Sequence, residues 1–226
     1  MKKILFAAIA LSLFGLNQAQ AQDDENTTDF KKWQVRLRGV GVIPDESADI
    51  STIGGNVAIS NSFIPELDFT YYFTKHIAAE LILGTTKHDV HTTASDISAI
   101  GGPSSTNVDL GSVWLLPPTL TVQYHFYPGK VFRPYVGAGV NYTIFYSVDE
   151  GSTVKDVSYD NAFGYAFQGG FDLMLNDTFF INVDCKKIFL KTDVSVDASN
   201  LAPGLSIPAK VDINPLLLGF GVGMKF

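Results

Sequence analysis

The residues Leu216-Leu217-Leu218-Gly219-Phe220-Gly221-Val222-Gly223-Met224-Lys225-Phe226 alternate without a break. Leu216, Leu218, Phe220, Val222, Met224 and Phe226 fall on one parity, and Leu217, Gly219, Gly221, Gly223 and Lys225 on the other. Successive side chains of an extended chain point to opposite faces, so this stretch reads as a β-strand with one bulky apolar face and one narrow face. The sequence stops on the aromatic Phe226 with no polar tail, which points to a strand that closes a sheet.

The same period-two alternation recurs from Trp33 to Leu37, Phe63 to Phe73, Ile77 to Leu83, Leu120 to Phe126, Val136 to Ile144, Phe163 to Leu173 and Phe179 to Cys185. With the closing stretch this predicts eight strands. The connections between them alternate in length. Thr74-Lys75, Pro128-Gly129-Lys130 and Asn176-Asp177 mark tight turns, whereas Pro44 to Asn61, Lys87 to Gly111, Ser147 to Asp160 and Lys191 to Val211 are long and polar. A soluble sandwich has no reason to sort its loops in this way. An outer-membrane barrel does: short turns on the periplasmic side, long loops outside, an even strand count and both termini on the same side.

The faces give an independent argument. About six bulky residues per strand are too many for the interior of a small barrel, so the apolar parity must point outward, into lipid. Trp33, Tyr71, Phe73, Tyr124, Phe126, Tyr165, Phe179 and Phe226 then stand near strand ends as interfacial aromatics. Lys187 falls on the lipid parity but near the external end, where a lysine can reach the interface. The expected fold is an all-β, eight-stranded antiparallel transmembrane barrel with short periplasmic turns and long extracellular loops.

The beginning of the chain agrees. Met1-Lys2-Lys3, an apolar run from Ile4 to Leu16 and the small residues of Ala19-Gln20-Ala21 read as a signal peptide over 1–21, cleaved near Ala21, leaving one barrel domain over 22–226. The mature part keeps 23 acidic residues and loses two of the 16 basic ones, an acidic balance that excludes nucleic acid as a partner. Cys185, the one cysteine, lies on an apolar parity and reads as a small apolar residue.

The inward parity divides by depth. Arg36, Arg38, Glu66, Asp68, Glu80, His125, Asp172, Asp184 and Lys225 lie in the periplasmic half and near the middle, with Gln34, His76, Gln123 and Asn182 beside them and Lys186 higher up. Charges removed from water persist only when paired, so a polar network filling the lower lumen is expected. The external half reads Val40, Val42, Ile64, Ile82, Leu115, Pro117, Phe145, Ile188 and Leu217. Either these pack the barrel solid, or they line an apolar pocket open to the outside. Pro117-Pro118 removes two N–H groups from a strand, which forces a bulge or an opening in the wall beside that pocket.

Several of these stretches resemble a known family. Leu116-Pro117-Pro118-Thr119-Leu120, then Gln123-Tyr124-His125-Phe126, the run Arg133-Pro134-Tyr135-Val136-Gly137-Ala138-Gly139-Val140-Asn141-Tyr142-Thr143, and the closing strand ending at Phe226 are similar to the outer membrane protein W (OmpW) family of small barrels. The resemblance spans the mature chain in layout and is most specific in its central third. It implies an eight-stranded outer-membrane barrel with a narrow hydrophobic channel that moves small hydrophobic molecules. The partners expected on this reading are outer-membrane lipid, a small hydrophobic solute, and the barrel-assembly machinery acting on Phe226. A closed barrel has no free edge, so a monomer is expected.

Rival readings rest on weaker signals. His88, Asp89, His91 and Ser95 could suggest a lipid-modifying enzyme, and His88-Asp89-Val90-His91 a metal site, but a loop cluster without a scaffold supports neither. No catalytic, cofactor or metal site is expected. Gly137-Ala138-Gly139 and the glycines from Gly219 to Gly223 alternate inside strands with no helix following, which removes a nucleotide-loop reading. A purely structural or adhesive barrel stays open as the alternative to transport.

Overall fold

The computed structural model describes residues 30–127, 131–200 and 202–226. The signal segment expected over 1–21 and the turn Pro128-Gly129-Lys130 lie outside the described residues. The chain forms strands β1 (Trp33–Ile43), β2 (Ser47–Ile50), β3 (Asn56–Ile59), β4 (Ser62–Tyr72), β5 (Ile77–Leu83), β6 (Thr86–Thr93) and β7 (Asp109–Leu116). They are followed by β8 (Thr119–His125), β9 (Phe132–Glu150), β10 (Asp156–Tyr159), β11 (Ala162–Met174), β12 (Phe179–Asp197), β13 (Ser206–Asp212) and β14 (Leu216–Lys225).

These segments make eight antiparallel staves. In the membrane-spanning part β1, β4, β5, β8, β9, β11, β12 and β14 pair in that order around the barrel. The closing ladder between β1 and β14 runs from Gln34–Lys225 to Ile43–Leu216, so the opening stretch of sequence seals the cylinder. The apolar parity faces outward: Phe63 is 77% exposed and Phe163 79%, while the opposite parity buries Arg36, Asp68 and Glu80. Only an apolar surrounding accommodates such a surface. At the periplasmic end Trp33 meets Tyr71 edge-on at 4.8 Å and Tyr71 meets Phe73 at 5.2 Å, part of the interfacial aromatic ring.

The long connections carry much of the wall. β9 and β12 are each 19 residues long, about twice the 9–11 that a membrane crossing requires. Along β12 the chemistry of the two faces inverts. Up to Lys186 the inward residues are Asn182, Asp184 and Lys186, while Ile181, Val183 and Cys185 face outward. Beyond it Ile188, Leu190, Val194 and Val196 are buried inside, while Lys191, Asp193 and Ser195 are exposed. The inversion marks where the surroundings change from lipid to water: the outer face must match its solvent and the inner face takes what remains. β13 repeats the upper pattern, with Ile207 and Val211 inside and Ser206 and Pro208 outside. Lys187 sits at the inversion, bridging Asp45 Oδ2 at 2.9 Å and the Asn214 carbonyl at 2.6 Å.

Candidate functional site

The lower lumen is filled by ion pairs. Arg36 lies at its centre: Nε donates to Asp68 Oδ1 at 2.7 Å, Nη2 donates to Glu80, and Nη1 donates to the Tyr135 hydroxyl at 3.2 Å. Arg38, one inward step higher, reaches Glu66 Oε1 at 2.5 Å and Asp68 Oδ2 at 3.2 Å. Glu80 Oε2 accepts from Gln168 at 2.7 Å and from Thr121 at 3.1 Å. Tyr135 donates to Asp184 at 2.7 Å, and Asn182 donates to Asp172 at 2.9 Å. Lys225 Nζ donates to the Tyr72 hydroxyl at 3.0 Å and stands 3.9 Å from Asp172. His125 closes the base through Gln123 at 2.9 Å.

Glycines make this density possible. A side chain at Gly223 would occupy the place of the Phe180 ring, and one at Gly170 that of Tyr135. Tyr72, Tyr135 and Phe180 are fully buried members of the floor. None of the three was expected in the floor; for Phe180 and Tyr135 the signal is the glycine opposite each, Gly223 and Gly170. His76, expected inside, is exposed at the β4–β5 turn, where it stacks on Tyr124 at 5.7 Å.

Above the floor lies an apolar cavity of about 190 Å³. Val42, Ile64, Ile82, Leu115, Pro117, Phe145, Ile188 and Leu217 all line it. Val40 does not: it is buried one inward step lower, packed with Val42, Ile64 and Leu217 between the cavity and Arg38. The upper wall comes from Val90, Val194, Val196, Ile207 and Val211, within the stretches expected as loops, and from Val113 and Leu190 just beside them. Their signal was the alternation Thr192-Val194-Val196 against Lys191-Asp193-Ser195, which has the polarity of a soluble sheet rather than a membrane one. Phe145 and Tyr159 stack at 5.4 Å on the rim, and burial pushes the Tyr159 phenol up from its ordinary range.

The wall beside this cavity is incompletely zipped. The β4–β5 ladder ends at Leu67–Leu83, and pairing of the same two staves resumes only at Ile59–Val90 between β3 and β6, in a register shifted by one residue. Among the described residues no backbone ladder pair joins 61–66 to 84–88, a length on the order of 15 Å at about 3.3 Å per residue. On the other side of Gly84–Thr85, pairing with the next stave stops at Ile82–Thr119 and resumes at Thr86–Leu115. The missing rungs fall at Pro117-Pro118, where Pro117 stands opposite Gly84 in the ladder register and has no N–H to supply. The prolines stay attached to β9, where Tyr142 N–H donates to the Pro118 carbonyl at 3.1 Å and Asn141 Nδ2 to that of Pro117 at 3.2 Å. Side chains cover the gap: Ile64 Cδ1 lies against Gly84, and at its top His88 Nδ1 donates to the Ser60 carbonyl at 2.6 Å.

The residues of the rival readings are not brought together. His88 is buried inside while Asp89 and His91 are exposed outside, and Ser95 is buried against Thr92 at 2.9 Å. Strand parity thus places the two imidazoles on opposite sides of the wall.

Comparison with known proteins follows the same outline. Residues 31–226 match the model of the OmpW family. The chain is 46% identical over 195 residues to the uncharacterized outer-membrane protein y4mB of Sinorhizobium fredii, a match covering 86% of this chain and 80% of that one. It is 32% identical over 200 residues to outer membrane protein W of Vibrio cholerae, covering 85% and 87%. Among solved structures it is similar to the outer membrane protein OprG from Pseudomonas aeruginosa, with a TM-score of 0.75 and 27% identity over 87% of this chain and 96% of that one.

Proposed function

The chain belongs to the OmpW family of outer-membrane β-barrels, and on that premise we propose that it takes up small hydrophobic molecules from outside and releases them sideways into the membrane. One observation carries this reading: the apolar cavity, the ion-paired floor beneath it and the unzipped wall beside it meet at the same height. An apolar solute that enters from the external mouth finds walls of Ile64, Ile82, Ile188 and Leu217. Downward passage would strip solvent and partners from buried charges, which is costly. Beside Gly84 the wall is covered by side chains, Ile64 Cδ1 and Glu66 Cγ being nearest, and carries no backbone rung. The Gly84–Thr85 segment carries no backbone rung on either side and is held to the next stave by the Thr85 hydroxyl donating to the Leu115 carbonyl at 3.0 Å, which suits it to yield.

In this reading the partners are membrane lipid and the solute, the barrel works as a monomer, and Phe226 presents the terminal aromatic to the assembly machinery. The test is uptake of an apolar solute into liposomes containing the protein. Leu217→Glu and Ile82→Glu place a charge in the cavity, and both are expected to reduce uptake strongly. Uptake equal to the parent's in both variants would sink the proposal.

A further inference from the structure

Lys186 stands where the charged floor and the apolar cavity meet. Register puts it there, opposite Leu217 on β14 and Gln168 on β11. Its side chain is 2% exposed and lines the cavity together with Val42, Ile64, Ile188 and Leu217. The buried cations beneath it each donate to a partner within hydrogen-bond reach: Arg36 to Asp68 and Glu80, Arg38 to Glu66 with its Nε left over, and Lys225 to Tyr72. For Lys186 the nearest carboxylate oxygen is Asp184 Oδ1 at 3.8 Å, beyond hydrogen-bond reach. That carboxylate is also committed elsewhere, with Oδ2 accepting from Tyr135 at 2.7 Å and Oδ1 facing Arg38 at 3.7 Å. Among the described residues none accepts a hydrogen bond from Lys186 Nζ, and an ammonium has three N–H donors.

A buried cation with unused donors at the base of a narrow apolar cavity has a complement: a molecule with an oxygen at one end and hydrocarbon behind it. We propose that the cavity binds single-chain amphiphiles head-down, an oxygen of the head group accepting a hydrogen bond from Lys186 Nζ while the tail lies along the apolar wall. The shared chemistry is the oxygen acceptor, present in a hydroxyl or a carboxylate head. This deepens the uptake reading and rests on it: the apolar wall selects for a chain, and Lys186 selects for chains that carry a head.

Displacement of the fluorescent probe N-phenyl-1-naphthylamine from the full mature protein in lipid nanodiscs tests it, with decane, 1-decanol and decanoate as competitors. Comparing each competitor between the parent and Lys186→Met cancels its partition into lipid. Decanol, decanoate or both are expected to displace the probe from the parent at concentrations about tenfold lower than from Lys186→Met, the worth of one hydrogen bond to a charged donor. Decane is expected to act equally on the two, and Lys186→Arg to restore most of the head-group advantage. An equal ratio for all three competitors overturns the head-group proposal while decane displacement leaves the uptake reading standing; no displacement from the parent by any of them overturns both. If Lys186→Met does not fold, ¹⁵N spectra of the lysine side chains in the parent replace it. One Nζ signal is then expected to shift with decanol or decanoate and not with decane, and no shift with either head overturns the proposal.

Discussion

The two halves of the lumen are built from the same strands and obey opposite rules. In the lower half, inward residues are large, charged and mutually bonded, with Arg36 held by Asp68, Glu80 and Tyr135 at once. In the upper half they are mostly aliphatic, with a few threonines and aromatic rings among them, and leave a cavity of about 190 Å³. Side-chain length and hydrogen-bond satisfaction explain the contrast. Charged groups are long, must meet partners across the lumen and so fill it, whereas Val, Ile and Leu need only contact one another and can line a space without crossing it. The halves divide accordingly: a floor filled by ion pairs below, and above it a cavity beside a wall that lacks backbone rungs.

The sharpest way to break this comparison is at the floor. Arg36→Met leaves Asp68 and Glu80 buried without their main partner, and removing one member of such a pair costs about 3–5 kcal/mol. Urea unfolding in lipid vesicles is expected to show a loss of that order, with probe binding in the cavity little changed. Cavity binding that falls in step with stability would mean that the halves are not separable.

A smaller effect is expected in the wall. Pro117→Ala returns one N–H facing Gly84, while Pro118→Ala returns one facing β9, because successive N–H groups of a strand point to opposite neighbours; the rung so formed toward Gly84 is worth about 0.5–1.5 kcal/mol. Amide hydrogen exchange around Gly84 is expected to slow, and release of an apolar solute into the bilayer to fall without stopping, since residues 61–66 and 84–88 stay unzipped. Faster release would contradict the role given to the prolines.

The smallest effect is expected at the latch above the gap. Burial lowers the His88 imidazole from its ordinary value of 6.5, with the Ser60 carbonyl pulling it partly back, so the fold favours the neutral ring. Its contribution is therefore complete above that ordinary value and declines as pH falls through the lowered one. Between about pH 8 and about pH 5 the parent is expected to lose slightly more thermal stability than His88→Gln. Identical slopes would remove His88 from the account.

How much was legible in the sequence differs between the two regions for the same reason. In the membrane-spanning half, lipid forces every outward residue to be apolar, so parity alone separates Phe69 from Asp68 and Leu37 from Arg38. The floor residues Arg36, Glu66, Asp68, Glu80, Asp172, Asp184 and Lys225 could be placed from that rule. Above the membrane the rule reverses, and Val194, Val196 and Ile207 looked like scattered residues of polar loops. Val40 was assigned to the cavity because parity gives a face but not a depth: its neighbours Val42 and Leu217 line the space while Val40 packs beneath it.

The strand faces, the alternation of turns and long connections, the charged and apolar ends of the lumen and the break in the ladder at Pro117-Pro118 are all legible along the chain. All of these follow from local periodicity or from a single residue's missing N–H. Tertiary structure alone decided which staves come unzipped, since that depends on a one-residue register shift between strands that only pairing can reveal. It also decided that Lys186 faces the cavity without an acceptor among the described residues. Whether a charge finds a partner is a question of distance across the lumen, and no spacing along the chain encodes it.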